Sequence, residues 1–516
     1  MNKSIYDPEL GIAAIEDSKS GIRVLTLCME PGEKKAAIMA YVGARLSRSA
    51  DDVFDIARNV IKKFGGEEAG ERITKIVNGY GHASVADMSH NMIFVEKVPM
   101  VTAMRFFYLN PVQDGQERST RFQNFSSPDF YIPESVTSNP GLFEQYKEIL
   151  QKQIADYTAL KDITRNVLEK QFTIDTSILA EASALEARTF DTLRHLLPMG
   201  MRTTFCAIMS SRNWAKYIGL MRGSNQEVEQ SLGSLLFELL IGNTELTEQG
   251  YVPESDALIR YAEPNTSVFK TIEELKELCA AEFKDETDIN EDVLSVDPLE
   301  YLLDHINLLI SGNGRNESII SDTLTRDLGR KIFSAHTDRN QLGNILQSGT
   351  IRIASILDIG ALKDFNRHRS LERFIPFLEN NAEVRSIMKN GFNLCDYLNH
   401  NTELQNLKDA YEKALSDTYS EIIKMQIAWD LSLEQVRYLL PHAHKSPYRM
   451  YGSLDDMLYV QNLRIRPGGH INYRRETYKW YEVMTHCPSL YLSNFWQRFQ
   501  LEEPNPCSRE EFINRS

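Results

Sequence analysis

Arg194-His-Leu-Leu-Pro198 is the stretch of this sequence that recurs most clearly: it returns 243 residues later as Arg437-Tyr-Leu-Leu-Pro441. A second match lies upstream of each copy. Phe130-Tyr-Ile-Pro133 is echoed by Phe374-Ile-Pro376, and the two final prolines keep the same offset of 243 residues. Each match is short, so the shared offset is what gives the pair its weight.

A third match lies downstream, where the arginines of Leu220-Met-Arg222 and Leu463-Arg464 are 242 residues apart. Self-similarity at a fixed spacing is the sequence signature of repeated structure, so the chain is predicted to be a tandem duplication. A length of 516 residues accommodates two domains. We place these domains at residues 1–262 and 311–516, with residues 263–310 as an acidic linker or excursion.

The boundary rests on a strongly acidic segment. Residues 282–304 carry nine Asp and Glu residues against Lys284 alone. A run of like charges repels itself and stays solvated, which predicts a linker or an exposed excursion. A charged helix face is the alternative for the second half of the segment.

Composition excludes several classes of protein. With 42% hydrophobic and 25% charged residues the chain is neither disordered nor fibrous. No stretch approaches the ~18 to 20 apolar residues of a membrane helix, and no signal peptide is expected at the N-terminus. The net charge of −15 argues against binding to a nucleic acid polymer.

Cysteine and histidine usage points to a reducing compartment without a metal site. The six cysteines form no CxxC pair, which favours neither disulfides nor zinc and indicates a cytoplasmic protein. The one close histidine pair, His442 and His444, is predicted to lie on the surface of a loop rather than to bind a metal.

Hydrophobic periodicity predicts a mixture of strands and long helices. The segments Asn91–Val98 and Ile351–Ile356 are predicted strands, and Leu109–Phe125 is a predicted loop. A capping box at Ser224–Glu227 is expected to open a helix that stops at Gly242. The predicted helices are Val101–Tyr108, Leu142–Lys170, Ser183–Leu197, Val228–Ile241, Gly360–Asn366, Tyr411–Trp429 and Asn472–Met484. This order predicts an α+β fold of two tandem domains, each a small, mostly antiparallel sheet packed with long helices.

The segment Glu117-Arg-Ser-Thr-Arg121 is the first candidate for a binding site. In an extended loop alternate residues face the same way, so Glu117, Ser119 and Arg121 converge on one side. An arginine fork and a hydroxyl suit a phosphate group. A solvated surface loop is the alternative interpretation.

Three further cationic positions are candidates. Arg222 stands just before the predicted helix 228–241, where it suits an anion or developing negative charge; a surface salt bridge is the alternative. Arg194 lies at a helix end, where a cation complements the helix dipole. The triplet Arg367-His368-Arg369 places two guanidinium groups around an imidazole, which suits a diphosphate or the edge of a flavin ring.

Taken together these motifs resemble the flavin-dependent thymidylate synthases, most strongly over residues 75–235. The first half is similar to that family at Gly81-His82-Ala83-Ser84, Gln116–Phe122, Arg194–Pro198 and Met221-Arg222. The second half is similar at Arg367-His368-Arg369, Arg437–Pro441 and Leu463-Arg464.

Each half departs from the family pattern in a different place. Where the family has Arg-His-Arg, the first half has Leu109-Asn110-Pro111. The second half keeps the triplet, but its loop is 15 residues shorter, because Arg369 lies 7 residues before Pro376 and Pro111 lies 22 before Pro133. Each half therefore lacks what the other half has, which predicts one composite site built from both.

The resemblance implies a role for each candidate residue. Ser119, Arg121 and Arg194 are expected to bind the phosphate of dUMP, Glu117 to orient the substrate loop, and Arg222 to act catalytically by polarising the uracil ring. FAD is expected to contact Arg367, His368 and Arg369, with Ser84 and Arg212 contributing.

The reaction implied by the resemblance is the reductive methylation of dUMP to dTMP. Methylenetetrahydrofolate gives the carbon, reduced FAD gives a hydride, and NADPH regenerates the flavin. Duplication of a tetramer-forming domain predicts a homodimer of tandem chains. The alternative is a degenerate, non-catalytic relative that binds a nucleotide, a flavin or a protein partner.

Overall fold

The computed structural model describes residues 2–27, 35–46, 49, 51, 53–64, 68–69, 71–72, 75, 83–109, 114–118, 129–253, 256–279, 292–296, 327, 331, 350–486, 496–497 and 500–514. Within these ranges every helix is too short or too polar to traverse a lipid bilayer. The same ranges contain no group of three or more His, Cys, Asp or Glu residues arranged to hold a metal ion.

The described strands form two antiparallel sheets. The strands are β1 Lys3–Asp7, β2 Ile12–Glu16, β3 Arg23–Leu27, β4 His90–Pro99, β5 Asp114–Glu117, β6 Arg202–Ser210, β7 Asp292–Val296, β8 Thr350–Asp358, β9 Glu372–Phe374 and β10 Lys445–Gly452. The first sheet has the order β1-β2-β3-β4-β6-β5, and the second has the order β7-β8-β10-β9.

The second sheet repeats four strands of the first. The pair β4·β6 in the first sheet corresponds to β8·β10 in the second, and the flanking strands β3 and β5 correspond to β7 and β9. Helices pack against both sheets. The predicted α+β class, with two antiparallel sheets and long helices, is confirmed.

The described helices connect and cover these sheets. They are α1 Lys35–Leu46, α2 Val53–Lys63, α3 Met100–Leu109, α4 Glu134–Thr137, α5 Pro140–Gln171, α6 Leu179–Leu193, α7 Ser211–Arg222, α8 Glu227–Ile241, α9 Thr244–Glu248, α10 Ser267–Cys279, α11 Ile359–Phe365, α12 Val384–Met388, α13 Asp396–His400, α14 Gln405–Trp429, α15 Leu433–Leu439, α16 Leu454–Arg464, α17 Ile471–Thr485 and α18 Arg509–Ile513. All seven predicted helices are present, and each end lies within six residues of its predicted position.

The start of α5 follows from its local sequence. The side chain of Asn139 accepts a hydrogen bond from the Leu142 N–H (3.3 Å). Pro140 occupies the first helical turn, where its missing N–H leaves no hydrogen bond unmade. The helix then runs for 32 residues.

The start of α8 differs from the prediction. Ser224 donates its hydroxyl hydrogen to Glu229 Oε2 (2.5 Å) and does not cap the helix, so the predicted capping box is wrong. The predicted stop is confirmed, because Gly242 ends α8 with φ of 76°, a conformation that favours glycine.

The two halves meet at the motif that revealed the repeat. Pro198 and Pro441 face each other in an isolated antiparallel bridge. The hydrogen bonds around it come in pairs related by the 243-residue offset: Met199 N–H to Leu440 O with His442 N–H to Leu197 O (both 2.9 Å), and Gly200 N–H to Tyr438 O (2.8 Å) with Ala443 N–H to His195 O (3.1 Å). An approximate two-fold axis therefore passes between the two motifs.

One hydrophobic core extends through both halves. Its members include the fully buried Trp214 and Trp480. Buried polar groups also cross between the halves: Gln153 Nε2 donates to Leu439 O (3.0 Å), the Tyr146 hydroxyl to Gln435 O (2.6 Å), and the Thr164 and Tyr411 hydroxyls are 2.8 Å apart.

The histidine pair near this axis corrects a prediction. His442 and His444 are fully buried, so the predicted surface position is wrong. His442 Nδ1 lies 2.7 Å from Leu197 O, and His444 Nδ1 lies 2.7 Å from the Tyr419 hydroxyl. Burial lowers the pKa of both imidazoles to about 3, so both are neutral at pH 7.

Two strands lie inside segments that were predicted to be irregular. Asp114–Glu117 forms β5, so the prediction of an unbroken loop over 109–125 is wrong there. Asp292–Val296 forms β7 within the acidic segment, paired with β8. The remainder of the acidic segment 282–304 lies outside the described residues, and the domain boundaries stay a prediction.

Candidate functional site

Helix α11 brings the second half of the chain to the site. Its N-cap is Asp358, whose side chain accepts the Ala361 N–H (2.8 Å). Asp358 is fully buried, with His195 Nε2 at 3.6 Å and Asn472 Nδ2 at 2.8 Å. Burial alone raises the pKa of Asp358, but the hydrogen bond and charge of His195 outweigh it and hold the pKa below its ordinary value. The helix start is thus fixed by an anionic cap that both halves surround.

Strand β5 contributes residues of the first half to the site. It ends at Glu117, whose Oε1 lies 2.9 Å from Nζ of Lys363 on α11. The Glu117 side chain is 12% exposed and that of Lys363 is 9% exposed. Burial raises the pKa of Glu117 above its ordinary value, more than the Lys363 charge lowers it. A carboxylate of one half is therefore paired with an ammonium group of the other in a partly desolvated place.

Next along α11, Asp364 binds two arginines. Both Nη atoms of Arg194 lie 3.1 Å from Asp364 Oδ2, and Arg464 Nη2 donates to the Asp364 carbonyl (2.8 Å). Burial raises the pKa of Asp364, but the charges of Arg194 and Arg464 outweigh this and lower it overall. Asp364 is therefore anionic at neutral pH and fixes both guanidinium groups.

The triplet follows α11 and closes over β5. Arg369 Nη1 lies 2.7 Å from Asp114 Oδ1, and its Nη2 donates to Gly115 O (3.2 Å). Arg367 is exposed. The Nε atoms of Arg369 and Arg194 are buried and have no hydrogen-bond partner among the described residues, so each leaves a donor unused.

His368, the middle residue of the triplet, is buried and uncharged. Its Nε2 accepts a hydrogen bond from Arg464 Nε (2.5 Å), which requires the tautomer protonated at Nδ1. Burial, and then the charge of Arg464, hold the pKa of His368 well below its ordinary value. Arg464 therefore orients the imidazole through this hydrogen bond, and His368 itself stays uncharged.

We call this set the composite site: Glu117 and Arg194 from the first half with Lys363, Asp364, Arg367, His368, Arg369 and Arg464 from the second. Outside the ion pairs Glu117–Lys363 and Asp364–Arg194, its remaining formal charges are the guanidinium groups of Arg367, Arg369 and Arg464, and its exposed edge at Arg367 is cationic. Such a surface is suited to a phosphate or diphosphate with an adjoining planar ring.

Five of the predicted site residues lie elsewhere or outside the described side chains. Arg222 donates from Nη1 to Ala262 O (2.9 Å), and its guanidinium lies over the Phe237 ring at 4.5 Å. Arg212 is half-exposed and pairs with Asp87 (2.9 Å). Ser119, Arg121 and the Ser84 side chain are outside the described residues, as are Gly81 and His82.

Sequence reasoning missed Lys363 and Asp364 as site residues. The available signal was their position on α11, four and three residues before the triplet. The sequence identifies Arg464 as the repeat partner of Arg222 but assigns it no role. The structure places it, and not Arg222, against the triplet.

The approximate two-fold axis relates the composite site to a second set of residues around Arg437, which we call the Arg437 site. There Arg437 donates to Glu379 O (2.7 Å) and Asn380 Oδ1 (3.2 Å), while Arg105 pairs with Glu229 (2.6 Å). The arginines are less than 4% exposed and are enclosed by these partners. The Arg437 site is therefore filled by the protein's own side chains.

Comparison with known proteins agrees with the sequence motifs. Residues 29–236 match the family described as thymidylate synthase complementing protein. The resemblance recognised in the sequence is confirmed over that segment.

Two known proteins are similar to this chain over different shares of its length. A UPF0159 protein of Chlamydia pneumoniae is 22% identical over 450 residues, which cover 82% of this chain and 78% of that protein. A solved structure of the flavin dependent thymidylate synthase ThyX from Helicobacter pylori, complexed with FAD and dUMP, matches 46% of this chain and 98% of that chain at 15% identity, with a TM-score of 0.26.

Proposed function

We propose that this chain is a flavin-dependent thymidylate synthase-like enzyme, which converts dUMP to dTMP at one composite site shared by its two halves. The observation that carries the proposal is the contact between β5 and α11. Glu117, from the substrate signature of the first half, pairs with Lys363, four residues before the triplet of the second half. This contact supports the proposal that the motifs divided between the two halves act at one site.

The residues fit FAD in two respects. Arg367 is exposed and Arg369 retains a buried, unused Nε donor, so both can bind the diphosphate. His368 is neutral and can lie beside an uncharged ring without a desolvation penalty. When bound, FAD would supply the hydride that completes the methyl group, with methylenetetrahydrofolate and NADPH as co-substrates.

The chain's own residues bind and orient the nucleotide in this proposal. Arg194, fixed by Asp364, offers its unused Nε to the phosphate of dUMP, together with Ser119 and Arg121. Glu117 orients the loop that follows it. Ser84 and Arg212 are proposed as further FAD contacts.

Arg222 is the proposed catalytic residue that polarises the uracil ring. Within this chain it contacts Ala262 and Phe237, so we propose that it serves the composite site of a second copy in a homodimer. Arg222→Ala is then expected to abolish dTMP formation while the flavin is retained. Undiminished turnover would remove Arg222 from the proposal. The two domains with their acidic linker, the homodimer and the cytoplasmic location all stay predictions.

The visible absorption spectrum of the purified chain is the first test of the composite site. The purified chain is expected to show the absorption of an oxidised flavin, and Arg369→Ala to lose most of that flavin. Arg385→Ala is a matched control, because Arg385 lies on α12 and outside the composite site. Equal flavin content in the Arg369 variant and the parent would contradict the shared site.

A binding protein without turnover is the second candidate. It is favoured because Asp364 and Asp114 already pair with Arg194 and Arg369. It is also favoured because the Arg437 site is filled by the protein's own side chains. Flavin absorption with no dTMP from dUMP, methylenetetrahydrofolate and NADPH would support it. Growth rescue of a thymidine-requiring host would support the enzyme.

A further inference from the structure

The segment 508–514 is packed between residues of both halves of the chain. It contains α18, and Phe512 in that helix is fully buried. The Phe512 ring stacks on Phe172 of the first half, with 4.0 Å between the centroids and 17° between the planes. It also lies 5.4 Å from the ring of Tyr397 in the second half. We call the segment 508–514 the clasp.

A fully buried arginine of the first half holds the clasp by its backbone. Arg188 on α6 donates from Nε to Phe512 O (3.2 Å) and from Nη2 to Asn514 O (3.0 Å). Its Nη1 donates to Gly469 O (2.9 Å), two residues before α17 begins. Because buried polar groups need hydrogen-bond partners, one guanidinium group ties the clasp to the start of α17.

A second buried arginine extends this contact to the composite site. Arg474 on α17 pairs through Nη2 with Glu511 of the clasp (2.6 Å), and its Nε donates to Ile465 O (3.1 Å). Ile465 directly follows Arg464, the last residue of α16, whose Nε donates to His368 Nε2 (2.5 Å). The clasp is therefore joined through Arg474 to the end of the helix that carries Arg464.

The Glu511 carboxylate is what fixes Arg474 in this position. The Nη1 atom of Arg474 is buried and has no hydrogen-bond partner within the described ranges. Without Glu511 the guanidinium would keep Ile465 O as an acceptor but would lose the carboxylate that neutralises it. A buried cation without a counter-charge is costly, so Arg474 would turn towards water and release Ile465. Docking of the clasp therefore decides whether Arg474 holds the end of α16.

We propose that the clasp is a conformational device that positions Arg464. When docked, it holds the end of α16 and keeps the composite site assembled, and when undocked, it leaves Arg464 free to turn away from His368. Arg474 acts through Arg464 and is a positioning residue. The first half takes part in the same device, because Arg188 lies on the helix that leads into Arg194. Only the effect on flavin described below rests on the proposed function.

Hydrogen–deuterium exchange of the full chain tests the device without any ligand. Glu511→Ala removes the carboxylate from Arg474, and we expect the amides of residues 461–465 and 365–369 to exchange roughly threefold faster or more. Exchange in strands β1 to β3 is expected to match the parent, which a general loss of stability would not allow. Glu510→Ala is the matched control, because Glu510 is the exposed neighbour of Glu511 on α18. This control is expected to exchange as the parent does.

Phe512→Ala undocks the clasp by a different route, since it removes the stacked ring and leaves Glu511 in place. It is expected to speed exchange in the same two segments. The proposal is overturned if Glu511→Ala exchanges as the parent does at residues 461–465 and 365–369. It is also overturned if strands β1 to β3 speed up as much as these segments. The Glu511→Ala result decides the matter even if Phe512→Ala fails to fold.

Flavin content is the second measurement on the same proteins. Glu511→Ala is expected to lose most of the flavin that the parent retains, and Glu510→Ala to keep it. Equal flavin in the parent and in Glu511→Ala would overturn the link between the clasp and the composite site. A parent without flavin would contradict the proposed function instead, and the exchange rates would still decide whether the clasp positions Arg464.

Discussion

Lys363 and Glu117 hold β5 and α11 together through one partly desolvated ion pair. Lys363→Met leaves the Glu117 carboxylate in place without its partner. Because a buried charge stripped of its partner is costly, we expect the free energy of unfolding at pH 7 to fall by about 3 kcal/mol. Urea denaturation at pH 7 measures this. The loss is expected to shrink as the pH is lowered, since burial has raised the pKa of Glu117 and protonation of the carboxyl removes the unpaired charge.

Lys408→Met is the control for that prediction. Lys408 pairs with Glu412 at 3.7 Å on the surface of α14, and an exposed pair of this kind contributes under about 1 kcal/mol. The double variant Glu117→Gln/Lys363→Met is expected to recover part of the lost stability, because it contains no unpaired charge. Equal losses for Lys363→Met and Lys408→Met would show that the pair is not desolvated.

Individual residues also show where sequence reasoning stops. The recurrence of RHLLP located the axis, because both copies keep the same local geometry. The Glu117–Lys363 contact joins residues that are far apart in the chain, and no local pattern encodes such a pairing. His442 and His444 were assigned to the surface for the same reason: a loop with two histidines has no periodicity, and their burial depends on the other half of the molecule.

Secondary-structure elements were predicted well where caps and periodicity agree. Helices α5 and α14 follow their apolar stripes, and α8 ends at Gly242 as expected. Strand β5 was missed because Asp114-Gly-Gln-Glu117 has no strand propensity, and its conformation is imposed by pairing with β6. The start of α8 was misread because its donors are satisfied from another helix.

That helix is α15, whose Glu434 accepts the Glu227 N–H (3.1 Å) and the Val228 N–H (3.4 Å). Burial raises the pKa of Glu434 from 4.5 to about 7, although these N–H groups oppose the shift. A raised carboxyl pKa stabilises the fold below the unfolded-state value, and this contribution is lost as pH rises through 7. The full amount is about 3 kcal/mol.

Glu434→Gln is therefore expected to flatten the dependence of stability on pH, because the amide keeps an acceptor oxygen and does not ionise. Between pH 4.5 and 8 the parent should lose about 3 kcal/mol relative to the variant, measured by urea denaturation. Glu412→Gln, on the surface of α14, should follow the parent curve. A Glu434→Gln curve parallel to that of the parent would show that Glu434 titrates normally.

At the scale of the whole molecule, the repeated sheets and the axis at Pro198 and Pro441 make the chain a covalent pseudo-dimer. One buried core continues through both halves: Gln153, Tyr146 and Thr164 of α5 make hydrogen bonds to the second half, and the buried apolar cluster includes both Trp214 and Trp480. Each half alone would expose this shared surface to water.

We therefore expect residues 1–310 and 311–516, expressed separately, to lack cooperative urea unfolding, and to regain it when co-expressed. The reason is that the hydrogen bonds paired across the axis and the apolar surface beneath them form only when both halves are present. Circular dichroism and copurification of the two fragments measure this. If the first fragment alone unfolded cooperatively with the stability of the full chain, the two halves would be independent domains, and the composite site would rest on a weak docking contact and not on a shared core.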